Sequence, residues 1–231
     1  MFRGGDHGEG PVGAHEESRR VAVFPDRTTA GRMLGDAVAP SVGDSRCRLY
    51  GLARGGVLVA KPMAERLGAP LEVLIARKIG APHQPEFAVG ALSEGGGASW
   101  DEAALTALHL DRAWQVSAAL ETQAEVERRV ARYRGRALTV DPEEIAIVVD
   151  DGIATGATVL AALRGLGALG AVQRAVAAPV AAREALEHLR AEADWVMALI
   201  VPAEFRAVGL HYEDFEPVDD EEVLAILNRP V

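Results

Sequence analysis

The stretch Ile145-Ala-Ile-Val-Val-Asp-Asp-Gly-Ile-Ala-Thr-Gly-Ala-Thr158 decides how the chain is read. Its first five residues are apolar without alternation, which predicts a short strand buried on both faces, as in a parallel sheet. The run stops at two adjacent carboxylates, Asp150 and Asp151. A loop of small residues follows, then a helix-forming stretch from Val159 to Leu169. Strand, small-residue loop and helix N-terminus in that order make a phosphate site. Loop N–H groups converge, the helix dipole favours an anion, and small side chains let a phosphate approach the backbone. It is not a Walker A loop, because Gly-Lys-Ser/Thr is absent and the acids come first.

Two neighbouring carboxylates repel and raise each other's pKa unless something satisfies both. A ribose diol does so, since each carboxylate accepts one hydroxyl hydrogen bond. Magnesium nearby favours the ionised forms further. The plain alternative is a strand-to-helix turn with solvated acids. Such a turn needs neither two acids nor two hydroxyls, Thr155 and Thr158, at these spacings.

Outward from this stretch the chain alternates. Asp26 is placed to cap a helix from about Thr28 to Val38, stopped by Pro40. A strand is expected over Arg48 to Ala53, then the sharp turn Arg54-Gly55-Gly56, then a helix from Val57 to Leu67. Pro62 fits its first turn and Gly68 its C-cap. Leu71 to Ala76 is the next strand, giving a right-handed βαβ unit. From Lys78 to about Ser99 the pattern is punctuated by Gly and Pro, and only Phe87 to Leu92 suggests a strand. A long amphipathic helix covers Asp111 to Arg132. After the quoted stretch come a strand at Val172 to Pro179, a helix at Ala181 to Glu192 and a strand at Trp195 to Val201. The fold class is α/β, a doubly wound, mostly parallel sheet flanked by helices. Ligands of such sheets bind beyond the carboxyl ends of the strands, where Arg54, Asp150 and Asp151 fall.

Two further clusters suit anions. The glycines of Arg54-Gly55-Gly56 permit positive φ and let N–H groups converge, while Arg54 adds a forked cation. Arg77-Lys78 closes the following strand, where the alternative is a solvated strand end.

Composition narrows the function. The chain has 231 residues, 49% of them hydrophobic, enough for one α/β domain with a full core. A formal charge of −10 opposes a nucleic-acid role. No apolar run reaches membrane-spanning length, so no membrane is expected. The single cysteine, Cys47, excludes an intrachain disulfide framework and suits a small buried filler just before a strand. Residues 1–20 carry Gly, His, Glu and Arg without a hydrophobic core and are expected to be a mobile tail. A cytoplasmic protein is the default.

The strand, Asp-Asp and Gly-Ile-Ala-Thr-Gly-Ala-Thr together resemble the ribose-5-phosphate signature of type I phosphoribosyltransferases, which use phosphoribosyl pyrophosphate (PRPP). Arg54-Gly55-Gly56 resembles that family's pyrophosphate loop, and Ile79 to Gly97 its flexible catalytic loop or hood. The run Arg77-Lys-Ile-Gly-Ala-Pro-His-Gln-Pro-Glu-Phe-Ala-Val-Gly-Ala91 is similar to a bacterial and archaeal subgroup described as predicted phosphoribosyltransferases. Arg128-Arg129, Tyr133-Arg-Gly-Arg136 and the tail Phe205 to Phe215 fit the same subgroup. The resemblance covers roughly residues 22 to 228. It implies a single domain over 21–231, with a loop and hood insert at about 78–110 and a C-terminal hood at about 202–231.

The resemblance implies displacement of pyrophosphate from C1 of PRPP by a nitrogen nucleophile, with magnesium as cofactor. It assigns Gly152, Ile153, Ala154, Thr155, Gly156, Ala157 and Thr158 to the 5-phosphate, and Asp150 and Asp151 to the ribose diol. Magnesium is reached from the two acids through water. Arg54, Gly55, Gly56, Arg77 and Lys78 take the pyrophosphate. The partners are then PRPP and a small-molecule acceptor, with a homodimer as the default assembly. Where 6-oxopurine members carry an acid in the phosphate loop, this chain has Ala154, which tells against a hypoxanthine or guanine acceptor; adenine-using and some pyrimidine-using members also carry a small residue there. Glu86 and Glu94 are candidate bases, and Phe205 and Tyr212 candidate stacking partners for the acceptor. The acids from Glu213 to Glu222 are expected to be a solvated face. A PRPP-sensing protein without turnover, a PRPP synthase-like relative and a transferase onto a small amine stay open.

Overall fold

A computed structural model describes residues 24–228, so the tail expected over 1–20 lies outside the described residues. Five strands form one parallel sheet: β1 (Cys47–Leu52), β2 (Leu71–Leu74), β6 (Ile145–Val149), β7 (Gln173–Val180) and β8 (Trp195–Ile200). Their spatial order is β2-β1-β6-β7-β8, with β6 at the centre. All five residues of β6 are buried, because helices cover both faces. Ile145, Ile147 and Val149 meet α1 (Arg27–Val42) and α2 (Gly55–Leu67) on one face. Ala146 and Val148 meet α5 (Ala157–Ala168) and α6 (Arg183–Leu189) on the other. Cys47 is buried as the first residue of β1.

Several element boundaries differ from the sequence expectation. Pro40 lies inside α1, which runs on to Val42 and closes on Gly43, whose N–H donates to Ala39 O at 3.0 Å. A proline in the last turn removes one hydrogen bond and leaves the rest of the helix intact. Pro62 sits in the middle of α2, where its ring meets Gly31 of α1. Arg112–Tyr133 forms the long helix α4, capped by Asp111, which accepts from Trp114 N at 2.8 Å.

The stretch expected to be a mobile loop is a second, antiparallel sheet. Its strands are β3 (Ala76–Ala81), β4 (Gln84–Ser93) and β5 (Ala98–Trp100), in the order β3-β4-β5, followed by the short helix α3 (Glu102–Ala107). Ile79, Ala81, Val89 and Leu92 bury one face of this sheet with Trp114 and Ala118 of α4. Only the hairpin tip, Pro82 to Phe87, is exposed throughout. Gly80 and Gly90 look like loop punctuation, but a side chain at either would collide with the backbone of the facing strand.

Glu94 is no exposed loop acid. It is buried, ion-paired with Arg134, and accepts from Ile75 N at 3.0 Å. It therefore joins the crossover between the two sheets to the end of α4. The acidic tail is also more than a solvated face: it contains α7 (Asp220–Leu227), capped by Asp219. Asp220 accepts from Tyr133 Oη and pairs with Arg132 Nε at 3.0 Å.

Removing one partner of a buried ion pair leaves the other charge uncompensated, at about 3 kcal/mol. Glu94→Ala is expected to lower the thermal midpoint by roughly 10 °C. A scanning-calorimetry midpoint equal to that of the unaltered protein would show that Arg134 finds water instead.

Candidate functional site

Parallel pairing builds the site. β1 and β6 are neighbours, with Gly51 opposite Val149. The turn after β1 and the acid pair after β6 therefore leave the sheet side by side. Gly55 lies so close to Asp151 that a Cβ there would collide with its carboxylate, and one at Gly56 would collide with the Val149 carbonyl. Neither glycine has positive φ, contrary to the sequence reading. These positions need glycine for closeness, not for a left-handed turn.

The carboxylates sit in a charge environment that disfavours both. Burial raises the Asp150 pKa well above the ordinary carboxylate value, and Asp151 raises it further. Lys78, Arg27 and a hydrogen bond from Asp151 N oppose this. Burial also raises Asp151, against the pull of Arg27. Arg27 Nε donates to Asp151 Oδ2 at 2.9 Å. The Tyr212 hydroxyl donates to the Asp151 backbone carbonyl at 2.6 Å.

The loop after the acids is anchored at one point and open elsewhere. Ile153 is buried, its N–H donating to Val180 O at 2.9 Å and its carbonyl accepting from Ala182 N at 2.8 Å. Its N–H is thus committed to the sheet edge, not to a phosphate. Gly156 follows in the left-handed region, φ 79°, as the N-cap of α5. Ala154 and Thr155 are exposed and Thr158 is half-buried. The Thr155 hydroxyl accepts weakly from Ala157 N at 3.4 Å.

Capping distinguishes the helices at the site. Asp26, Asp101, Asp111 and Asp219 each accept a first-turn N–H at the starts of α1, α3, α4 and α7. The starts of α2, at Arg54-Gly55, and α5, at Gly156-Ala157, carry no side-chain cap. The short α6 lacks one as well. Apart from Val57 N, which donates to Arg54 O at 3.1 Å, and the weak bond of Ala157 N to Thr155, the first-turn N–H groups of α2 and α5 remain for another acceptor, and these two starts flank Asp150 and Asp151.

Arg77 and Lys78 are separated by strand alternation, successive residues of β3 pointing to opposite faces. The charge of Lys78 acts on Asp150. Arg77 faces Arg129, Glu125, Arg54 and Arg128, and burial and the neighbouring cations lower its pKa. Arg54 is partly exposed and lies 3.8 Å from Asp220. Glu86 is exposed on β4.

The two aromatic candidates differ. Tyr212 is buried between Phe24, at 5.4 Å, and Phe215, at 5.0 Å, and so offers no ring face to an acceptor. Phe205 is half-buried and stacks on His211 at 6.0 Å.

Sequence reasoning missed Arg27 and Phe215. Arg27 stands at the first position of α1, where a cation opposes the helix dipole. That misplaced charge was the available signal. Its guanidinium lies 3.8 Å from the centroid of the Phe215 ring.

The residues suit magnesium carried by a substrate. Two half-buried acids stand side by side, Arg27 paired with Asp151 and the Lys78 charge acting on Asp150, and their remaining oxygens can accept from a ligand or from metal-bound water. Among the described residues no group of three or more His, Cys, Asp or Glu could hold a metal ion unaided. No helix of the described residues is long and apolar enough to cross a membrane.

The phosphoribosyl transferase domain family matches residues 40–214. A provisionally named phosphoribosyl transferase of Mycobacterium tuberculosis is 41% identical over 210 residues, 90% of this chain and 47% of that protein. The chain thus spans about half the length of the curated relatives it matches. The crystal structure of the TT1426 protein from Thermus thermophilus is 42% identical, with a TM-score of 0.73 over 89% of this chain and 97% of that one. The matched family spans both the Arg54 turn and the acid pair, and the chain belongs to the phosphoribosyl transferase domain family.

Proposed function

We propose that this chain transfers the 5-phosphoribosyl group of PRPP to a nitrogen of a small-molecule acceptor, releasing pyrophosphate with magnesium as cofactor. One observation carries the reading: two uncapped helix starts stand on either side of a carboxylate pair. A ligand matching that order has an anion at each end and a diol between them.

The first turn of α5, with Thr155 and Thr158, takes the 5-phosphate. Asp150 and Asp151 accept the ribose hydroxyls. The first turn of α2, with Arg54 and Gly55, takes the pyrophosphate. Arg77 adds charge from the α4 side and Lys78 from the Asp150 side. The acceptor nitrogen lone pair forms a bond to C1 as the bond from C1 to the pyrophosphate oxygen breaks, and its electron pair departs with pyrophosphate. The acceptor nitrogen then gives up its proton, for which exposed Glu86 is the proposed base. Magnesium, when bound through the diphosphate, neutralises the leaving group. The chain's own contribution is position and a fixed electrostatic field. The presence of Arg54, Arg77 and Lys78 beside the proposed pyrophosphate position favours turnover over a sensing role, since a sensor can dispense with them.

Calorimetric titration of the protein with PRPP is expected to show tight binding that depends on magnesium. No heat of binding with or without magnesium would overturn the reading. Asp150→Asn combined with Asp151→Asn should weaken PRPP about 100-fold, as charge-assisted hydrogen bonds are lost. Near-normal affinity would remove these acids from the diol.

Replacing Pro82 to Glu86 with a two-residue turn keeps the sheet and removes the tip with Glu86. Pyrophosphate release, assayed across nucleobases and small amines, should fall at least tenfold while PRPP affinity stays within threefold. Equal loss of both would make the tip a binding element only.

A further inference from the structure

We propose that Arg27 is a positioning residue for Asp151, setting which carboxylate oxygen meets the ribose; this rests on the transferase reading above. The side chain of Arg27 is 10% exposed and that of Asp151 17%. A cation held so far from water at a helix start must find partners that outweigh the dipole and the lost hydration. Arg27 has three, one from the loop after β6 and two from adjacent residues of the C-terminal segment. Nε donates to Asp151 Oδ2 at 2.9 Å, Nη1 donates to Glu216 O at 3.0 Å, and the guanidinium stacks on Phe215 at 3.8 Å.

The pairing is specific in its geometry. With Oδ2 taken by Arg27, Oδ1 is the oxygen of Asp151 left to accept a hydroxyl. The planar guanidinium is fixed at Nη1 by Glu216 and on its face by Phe215, so it fixes the carboxylate plane in turn. Gly55 lies against the same carboxylate, close enough that a side chain there would also meet Arg27 Nε at 3.2 Å. Arg27 therefore stands where the turn after β1, the acid pair and the C-terminal segment meet. Without it, Lys78 on the Asp150 side is the remaining cation acting on the pair.

A purely structural strut would also touch Glu216 and Phe215, so the test separates the two roles. PRPP with magnesium is titrated calorimetrically into the unaltered protein, Arg27→Gln, Arg27→Lys, Asp151→Asn and the double variant Arg27→Gln/Asp151→Asn. Thermal midpoints are recorded in parallel. Arg27→Gln is expected to bind PRPP about tenfold more weakly. Arg27→Lys keeps a charge beside Asp151 but loses the fork to Glu216 and the stacked plane. It should recover binding only in part, to about threefold weaker than the unaltered protein, because the charge remains and the fixed plane does not. If Arg27 works through Asp151, the double variant binds no more weakly than Asp151→Asn alone.

Two results overturn the proposal. One is Arg27→Gln binding within twofold of the unaltered protein. The other is a double variant whose loss equals the product of the two single losses. Should Arg27→Gln not fold, the cycle is built with Arg27→Lys, and a lysine variant as weak as Asp151→Asn counts against the proposal. Failure of the unaltered protein to bind PRPP removes the transferase reading and this inference with it, whereas normal binding by that protein and by Arg27→Gln removes the inference alone.

Discussion

Two carboxylates side by side at the end of a buried strand are an electrostatic liability, and the surrounding structure is organised around that liability. Burial raises the pKa of each, and the Asp151 charge disfavours ionisation of Asp150 further. The chain answers with Arg27 from α1 and Lys78 from β3, and with the Asp151 N–H turned back onto Asp150. These measures hold the pair in place against the repulsion and burial that disfavour its charge. The same logic explains the glycines opposite: with the acids fixed in place, the neighbouring turn can carry no side chain at Gly55.

Charge is distributed by the same principle. The chain as a whole is acidic, yet Arg54, Arg77, Arg128 and Arg129 gather beside the turn after β1. Like charges so gathered repel, and the acids nearby only partly relieve them. Glu125 is held down to about 2 by hydrogen bonds from Arg129 and Arg128, and Asp220 serves Arg132, Tyr133 and, at longer range, Arg54. Arg77 has no such acid in direct contact among the described residues. Capping follows a parallel division: four helices satisfy their first turn with an aspartate, while those that open on the carboxylate pair do not. An Asp cap at either place would occupy the N–H groups and repel an incoming anion.

What could be read from the sequence was local chemistry. The quoted stretch announced its strand, loop and helix because its patterning and acid pair lie within fourteen consecutive residues. The alternating α/β order followed from periodicity for the same reason. What escaped notice depends on partners far away in the chain. Arg27 and Asp151 are 124 residues apart. Glu94 looked like a loop acid because its partner, Arg134, lies beyond two intervening helices, α3 and α4. The β3-β4-β5 sheet was hidden because glycine required by cross-strand crowding looks the same as glycine required by a turn. Tyr212 looked available for stacking until Phe24 and Phe215 were found on either side of it. The acids near the C-terminus looked solvated because their excess of charge concealed the capped helix α7.

The sheet in place of a loop changes how closure over a ligand has to work. A disordered loop that folds over its substrate pays the ordering entropy of every residue it fixes. Here β3, β4 and β5 are already paired, and Ile79, Val89 and Leu92 are packed against α4. Ser93 and Ser99 add hydrogen bonds to carbonyls of α5, at 2.8 Å to Ala161 O and 2.8 Å to Ala157 O. The base of the hairpin is therefore tied to the helix whose N-terminus faces the acid pair. Exposure is confined to the turn and the first residues of β4, Pro82 to Phe87, so any movement there would have little order to acquire and would start from a hairpin whose register is already fixed.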